Sequence, residues 1–367
     1  MNTNHCRWGI LGAAFIARKN WQAIRDAGNA MLIAVASRDV ARASAFIDEC
    51  QACAPHAVVP EAMASYEALL ARPDIDAVYI PLPTGLRKEW VIRAAQAGKH
   101  VLVEKPVGAH AADVAEIIAA CEKHGVQFMD GVMFMHGRRL KQLRGVVDDE
   151  VGQVRHIASQ FSFMSDAEFR RSNIRAHGAL EPLGCLGDLG WYCLRFTLWA
   201  MNYAVPTHVT GRIHAETQQT ADAPPVPLEF SGTLSFANGA SASYYCSFTT
   251  TNAEWAIVSG GKGLLQVSDF VLPFSGAQTK YSLTRSDFVQ NCCQFDMHEG
   301  RIVEALDEPS SNAPGSQEAG MFHTFSDLVL SGRIDGHWPR ISLLTQQVLD
   351  ACLLSARDGS KVIDLKL

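Results

Sequence analysis

The segment Glu104-Lys105-Pro106 closes an apolar run, Val101-Leu102-Val103, that reads as a buried strand. A charged pair at such a strand end, followed by a proline that restricts φ, is a placed functional group rather than a solvated one. A second segment, GCLGDLGWYC at 184–193, sets Asp188 and Tyr192 on one helical face, with Arg195 next along it. An ammonium, a carboxylate and a phenol together can orient a hydroxyl and move its proton. The plainer alternative is helix packing with Tyr192 half-buried, because Leu189, Cys193, Phe196 and Ala200 make a neighbouring apolar face. Gly187 and Gly190 each cost about 1 kcal/mol relative to alanine inside a helix, which points to close approach of another body.

A third segment, Gly9 to Ala17, lies where a strand turns into a helix, the place where backbone amides and the helix dipole hold a pyrophosphate. Read as G-x-G-x-x-G, it offers Gly12, Ala14 and Ala17, so the methyl groups require negative φ at the last two positions. The second strand ends Ala36-Ser37-Arg38-Asp39. Ser37 can donate to a ribose 2′-phosphate and Arg38 can pair with it, which favours NADP, with NAD possible if Asp39 reaches the ribose.

The elements that position these groups follow from periodicity. Strands are expected at Trp8–Leu11, Leu32–Ala36, Ala77–Ile80, Val101–Val103 and Val126–Met129. Between them Val114, Ile117, Ile118 and Cys121, and earlier Ala17, Trp21 and Ile24, fall on single helical faces, with Gly125 as a stop signal. Alternating strands and helices give a doubly wound parallel sheet, a Rossmann domain over 1–130. Beyond about residue 150 the period changes to two, with Asn238-Gly239 a hairpin turn between Leu234, Phe236 and Ala242, Tyr244, Cys246, Phe248. That pattern gives the second part of the chain, residues 131–367, an antiparallel sheet. GRIHAETQQTADAPPVPLE and DEPSSNAPGSQEAG read as polar loops, and a final helix around 341–355 packs on either domain.

A chain of 367 residues with 48% hydrophobic and 19% charged residues has room for two cores. The net charge of −6 and the lack of a long basic run argue against a nucleic-acid or membrane partner and leave a small molecule. Too few residues precede Trp8 for a signal peptide, no apolar run is long enough to span a membrane, and the 10 cysteines follow no disulfide spacing, so a cytoplasmic protein is expected. Cys50-Gln51-Ala52-Cys53 with His56 lacks an answering second pair, and no metal is expected. Cys292-Cys293 offers no stronger metal or redox signal.

WGILGAAFIA, VYIPLPTGLRKEWVIRAAQAGKHVLVEKP and GALEPLGCLGDLGWYC, in this order, resemble successive motifs of the glucose-fructose oxidoreductase, inositol dehydrogenase and MocA family across essentially the whole chain. The resemblance implies that residues 131–367 form an α/β domain with an open, mostly antiparallel sheet for substrate binding and oligomerisation. The same resemblance implies that a sugar, polyol or dihydrodiol is oxidised or reduced in a cleft between this domain and the Rossmann domain, and that the chain is a homodimer or homotetramer. It implies cofactor contacts from Gly9, Gly12, Ala14, Phe15, Ile16, Ser37, Arg38, Pro81, Leu82, Thr84, Arg87, Glu104 and Lys105. Lys105, Asp188 and Tyr192 take the catalytic and substrate positions; Arg175 and His177, in the segment before the Asp188 helix, are candidates to face the substrate, with a surface role as the alternative.

Tyr192 stands where many members have histidine, as in the branch resembling dimeric dihydrodiol dehydrogenases and NADP-linked xylose dehydrogenases. A free phenol near pKa 10 is a poor base, so Lys105 within about 4 to 6 Å is expected to lower that pKa, with Lys105 itself as the alternative base. Glu104 is expected to orient Lys105. Thr84 and Arg87 replace the family's usual Asn and His, and the glycines before Asp188 are reduced to Gly184 and Gly187. The Lys105-Pro106 bond is open to either isomer, since X-Pro bonds are cis in about 5–6% of cases. A hydrolase using a tightly held dinucleotide and a non-catalytic dinucleotide sensor are the competing functions.

Overall fold

The structure, a computed structural model, describes residues 5–311 and 313–366. Strands β1 (Cys6–Leu11), β2 (Ala30–Ala36), β3 (Glu61–Met63), β4 (Ala77–Ile80), β5 (His100–Val103) and β6 (Phe128–Asp130) form a parallel sheet in the order β3-β2-β1-β4-β5-β6. Helices α1 (Phe15–Asp26), α2 (Val40–Cys53), α3 (Tyr66–Leu70), α4 (Thr84–Gln96) and α5 (Ala111–Lys123) connect them. Every residue of β4 is buried, as a strand covered on both faces requires. The short edge strand β3 lacks an apolar run, so periodicity gave no sign of it. The strand order reverses between β1 and β4, which opens a crevice beyond their carboxyl ends. Helices α1 and α4 begin there.

The remaining elements are α6 (Arg138–Val146), β7 (Val154–Met164), α7 (Ala167–Ser172), α8 (Trp191–Ala200), β8 (His208–Thr217), β9 (Val226–Ser235), β10 (Ser241–Ser247), β11 (Thr249–Gly260), β12 (Leu264–Val267), β13 (Thr279–Thr284), β14 (Asp287–Asn291), β15 (Gln294–His298), β16 (Arg301–Leu306), α9 (Gln317–Ser331), α10 (His337–Arg357) and β17 (Ile363–Asp364). Nine of these strands make one sheet, β16-β13-β12-β11-β7-β10-β9-β8-β17, antiparallel except where β10 runs parallel to β7. The hairpin forms at Asn238-Gly239, with Gly239 at φ 80°.

Two expected loops are shorter than their polarity suggests. GRIHAET lies in β8 and VPLE opens β9, because one face of this sheet is open to solvent and tolerates polar residues at alternate positions. Likewise QEAG begins α9, whose first turn is capped by the Ser316 side chain accepting from the Ala319 amide.

The last helices bind the two sheets together. α9 packs on α1, and Trp8 of β1 meets Phe322 and Phe325 at ring distances of 5.0 and 5.2 Å. α10 packs on α5 and β6 and also on α8 and β8, so it covers both halves of the chain. Helix α8 is buried on all sides, which leaves no solvent face for Arg195. Instead of joining Asp188 and Tyr192, Arg195 turns into the core and pairs with Asp130 of β6 at 2.6 Å, both side chains fully buried. No helix among the described residues is long and apolar enough to cross a membrane.

Removing one partner of a buried ion pair strands the other charge. Asp130→Asn is therefore expected to lower the unfolding free energy by about 3–5 kcal/mol, measured by urea denaturation. A loss below about 1 kcal/mol would mean that the pair does not join the two halves.

Candidate active site between the two sheets

The cofactor end is built at the β1–α1 turn. Gly12 adopts φ 118°, which glycine alone takes without strain, and a Cβ there would lie 2.9 Å from Leu82. Ala14 sits at φ −89°, so the positive φ falls only where the sequence has glycine, and the methyl groups of Ala14 and Ala17 are tolerated. Ala14 offers no side-chain cap, which leaves the first-turn amides of α1 facing the crevice for a pyrophosphate. At the end of β2, Ser37 is buried and Arg38 exposed, while the Asp39 side chain accepts from Ala41 N–H as the cap of α2. Asp39 is thereby engaged, and Ser37 and Arg38 are the groups that fit a 2′-phosphate.

The opposite end is an ion network. Glu104 is fixed from below, accepting from Tyr79 Oη at 2.6 Å and Asn20 Nδ2 at 3.3 Å. These bonds anchor the strand end, and the group that orients Lys105 is Asp188 rather than Glu104. Lys105 Nζ donates to Asp188 Oδ1 at 2.7 Å and to its backbone O at 2.6 Å, which leaves one of three ammonium protons for a ligand. Arg175 Nε reaches Asp188 Oδ2 at 2.9 Å. Burial opposes the charge on Asp188, but Lys105 and Arg175 outweigh it and hold the carboxyl down at about 2. Asp188 lies in a π-helical turn, Leu186–Gly190, that runs into α8. Gly187 permits its approach, since a Cβ there would meet Leu183 at 2.6 Å and Pro106 at 3.1 Å. The Lys105-Pro106 peptide is cis.

Tyr192 differs from expectation. Lys105 Nζ lies over its ring, 4.5 Å from the centroid and so within the expected separation, but the expected lowering of the phenol's pKa does not follow. Burial and the charges of Glu104 and Asp188 push the phenol well above its ordinary value. Tyr192 is thus a proton-bearing phenol, and among the described residues its Oη has only the weak acceptor Met133 Sδ at 3.5 Å.

Ala14, Phe15, Ile16, Pro81, Leu82, Glu104, Lys105, Arg175, Asp188 and Tyr192 all line one cleft of about 900 Å³. Gly9 lies behind it in β1, where a Cβ would meet Leu69 at 2.6 Å. Two expected cofactor contacts are differently engaged. Thr84 Oγ1 donates to Glu181 Oε2 at 2.5 Å, and Arg87 donates to Leu82 O at 2.7 Å, to Thr84 Oγ1 at 2.9 Å and to Pro106 O. Both side chains are buried and hold protein acceptors, and Arg87 also lines the cleft whereas Thr84 does not. His177 does not line the cleft, and its Nδ1 accepts from Ala179 N–H.

Sequence reasoning missed the cleft's other wall. Phe161, Phe163, Phe169 and Trp255 contribute aromatic surface there, and burial pushes the nearby Glu254 carboxyl up to about 7. Strand periodicity marks such residues as sheet faces, and only the tertiary fold shows that they border the cleft. Cys50 is a core residue beside α1, and His56 Nε2 lies 3.1 Å from Trp21 O.

A doubly wound sheet that brings an open helix start and a lysine to one side of a cleft, with a carboxylate and a phenol facing them, defines a dinucleotide-dependent oxidoreductase. Residues 6–132 match the oxidoreductase family with NAD-binding Rossmann fold, and 139–266 match the GFO/IDH/MocA C-terminal domain. The chain is 32% identical to D-xylose 1-dehydrogenase (NADP(+)) 2 of Haloferax volcanii, over 97% of its own length and 98% of the relative's. It is 31% identical to trans-1,2-dihydrobenzene-1,2-diol dehydrogenase of Mus musculus, over 73% and 76%. A 3-ketoreductase from Actinomadura kijaniata, solved with NADP and TDP-benzene, superposes with a TM-score of 0.77 at 25% identity, covering 97% of this chain and 98% of that one. The chain belongs to the GFO/IDH/MocA oxidoreductase family.

Because the Asp188 carboxyl is held below its unfolded value of about 3.9, its contribution to stability is full above pH 4 and lost as pH falls towards 2. Asp188→Asn is expected to cost about 2–3 kcal/mol at pH 7, shrinking on acidification to pH 3, in urea titrations at both pH values. A pH-independent difference would contradict the ion network.

Proposed function

We propose that the chain is an NADP-dependent oxidoreductase acting between a hydroxyl-bearing carbon of a sugar, polyol or dihydrodiol and the corresponding carbonyl. One observation carries this reading: the open first turn of α1 and the Lys105, Asp188, Arg175, Tyr192 network line the same cleft. When bound, the nicotinamide supplies or accepts the hydride. The relatives described above are dehydrogenases and reductases by name, two of them linked to NADP, which leaves the hydrolytic and sensor readings without support.

The residues divide the work by their chemistry. Ser37 and Arg38 hold the 2′-phosphate, and the turn at Gly12 to Ile16 holds the pyrophosphate. The remaining Lys105 N–H polarises the substrate oxygen, and the Tyr192 hydroxyl gives it a proton in the reductive direction, since a phenol with a raised pKa is an acid poorly suited to being a resting base. Arg175, anchored through Nε to Asp188, presents its remaining guanidinium donors to neighbouring substrate hydroxyls. The uncovered sheet face, together with the β14–β15 hairpin on which Phe295 and Met297 are 61% and 68% exposed, supports a homo-oligomer.

In fluorescence titrations, Arg38→Ala is expected to weaken NADPH binding at least tenfold while changing NADH binding less than twofold. Absence of binding by either cofactor in the wild type would overturn the reading. Tyr192→Phe is expected to keep the NADPH affinity and lower kcat for carbonyl reduction by about 10²–10⁴. An unchanged kcat would remove Tyr192 from the proton path.

A further inference from the structure

Helix α4 begins at Thr84 behind Pro83, which provides no side-chain cap. Its first amides are satisfied by a strap from the other half of the chain, the segment between α7 and Asp188. Thr84 N–H donates to Glu181 Oε1 at 3.1 Å, and Gly85 N–H donates to Leu180 O at 3.0 Å. A Cβ on Gly85 would sit 2.4 Å from Ala179 O, so the fit admits only glycine without movement. A carboxylate at a helix start also meets the positive end of the helix dipole.

The same carboxylate reaches further through Arg87, one turn along α4. Arg87 Nη2 lies 3.8 Å from Glu181 Oε1, and Nη1 donates to Thr84 Oγ1, which in turn donates to Glu181 Oε2. Arg87 also binds the carbonyls of Leu82, on the cofactor side of the cleft, and of Pro106, directly after Lys105. The strap that Glu181 holds carries Arg175, the second counter-ion of Asp188. We propose that Glu181, clasped to Thr84 and Arg87, is a positioning residue that sets the substrate strap in register with the cofactor loop and with Lys105.

The proposal rests on the oxidoreductase reading for its kinetic consequence, whereas its structural consequence can be measured without turnover. In Glu181→Ala, hydrogen exchange at the Thr84 and Gly85 amides is expected to accelerate at least tenfold. The NADPH dissociation constant stays within twofold, and kcat/KM for the carbonyl substrate falls at least tenfold, mostly through KM. Glu181→Gln, which can still accept from the Thr84 amide but cannot pair with Arg87, falls between. Glu181→Ala combined with Arg87→Met is expected to cost no more than the worse single change, because both break one clasp. Unchanged amide exchange overturns the clasp, whatever the activity. Faster exchange with unchanged kcat/KM, or with only a lower Tm, overturns the positioning role. A wild type that binds NADPH but reduces no carbonyl would instead count against the oxidoreductase reading, and the exchange result would still decide the clasp.

Discussion

The ion pair between Lys105 and Asp188 is the contact on which the site depends, because it joins a group at the end of the first sheet to one on the helical segment that covers the second. Each charge is largely withdrawn from water, with side-chain exposures of 8% and 18%, so either alone would be costly. Asp188 answers this by taking Lys105 on one oxygen and Arg175 on the other. The arrangement fixes the ammonium with one proton unengaged and leaves the phenol of Tyr192 neutral beneath it. A lysine that polarises the oxygen and a phenol that bears the proton divide one task between two groups.

Around this pair the structure repeats one device, a polar bond between halves of the chain at a place where packing alone gives no register. Arg195 and Asp130 tie α8 to β6 in the core. Trp8 Nε1 donates to Ser326 Oγ at 3.1 Å, tying β1 to α9. Glu181 ties the strap to α4. Apolar surfaces tolerate sliding, whereas buried polar groups require their particular partners, so these bonds fix the register between the halves of the chain.

Much of the fold was legible because its signals are local. The strands at Ala77–Ile80 and His100–Val103, the face of α5 and the turn at Gly239 all declare themselves within a few residues. The exceptions are physical. β3 is too short to show a period, and β8 is polar at alternate positions because one face of its sheet meets solvent. At the site, residue types alone left Asp188 and Tyr192 as equally good packing residues; the family resemblance singled them out with Lys105, and only the fold shows how the three touch. The expected proximity of Lys105 to Tyr192 is there, but burial with Glu104 and Asp188 raises the phenol's pKa where a lowering was expected, because Asp188 already holds the ammonium. The engagement of Arg87 and Thr84 depends on Glu181, 97 residues beyond Thr84, and no local pattern reports such a contact.

The central claim is that Lys105 sits at a hydride-transfer centre, and it is tested most directly by following deuterium from C4-labelled NADPH into a panel of keto-sugars and diol-derived ketones by mass spectrometry. The account predicts label in the product carbon with the wild-type chain. Lys105→Met, at saturating NADPH, should transfer label about a hundredfold more slowly or worse. Label transfer undiminished in Lys105→Met would contradict the account.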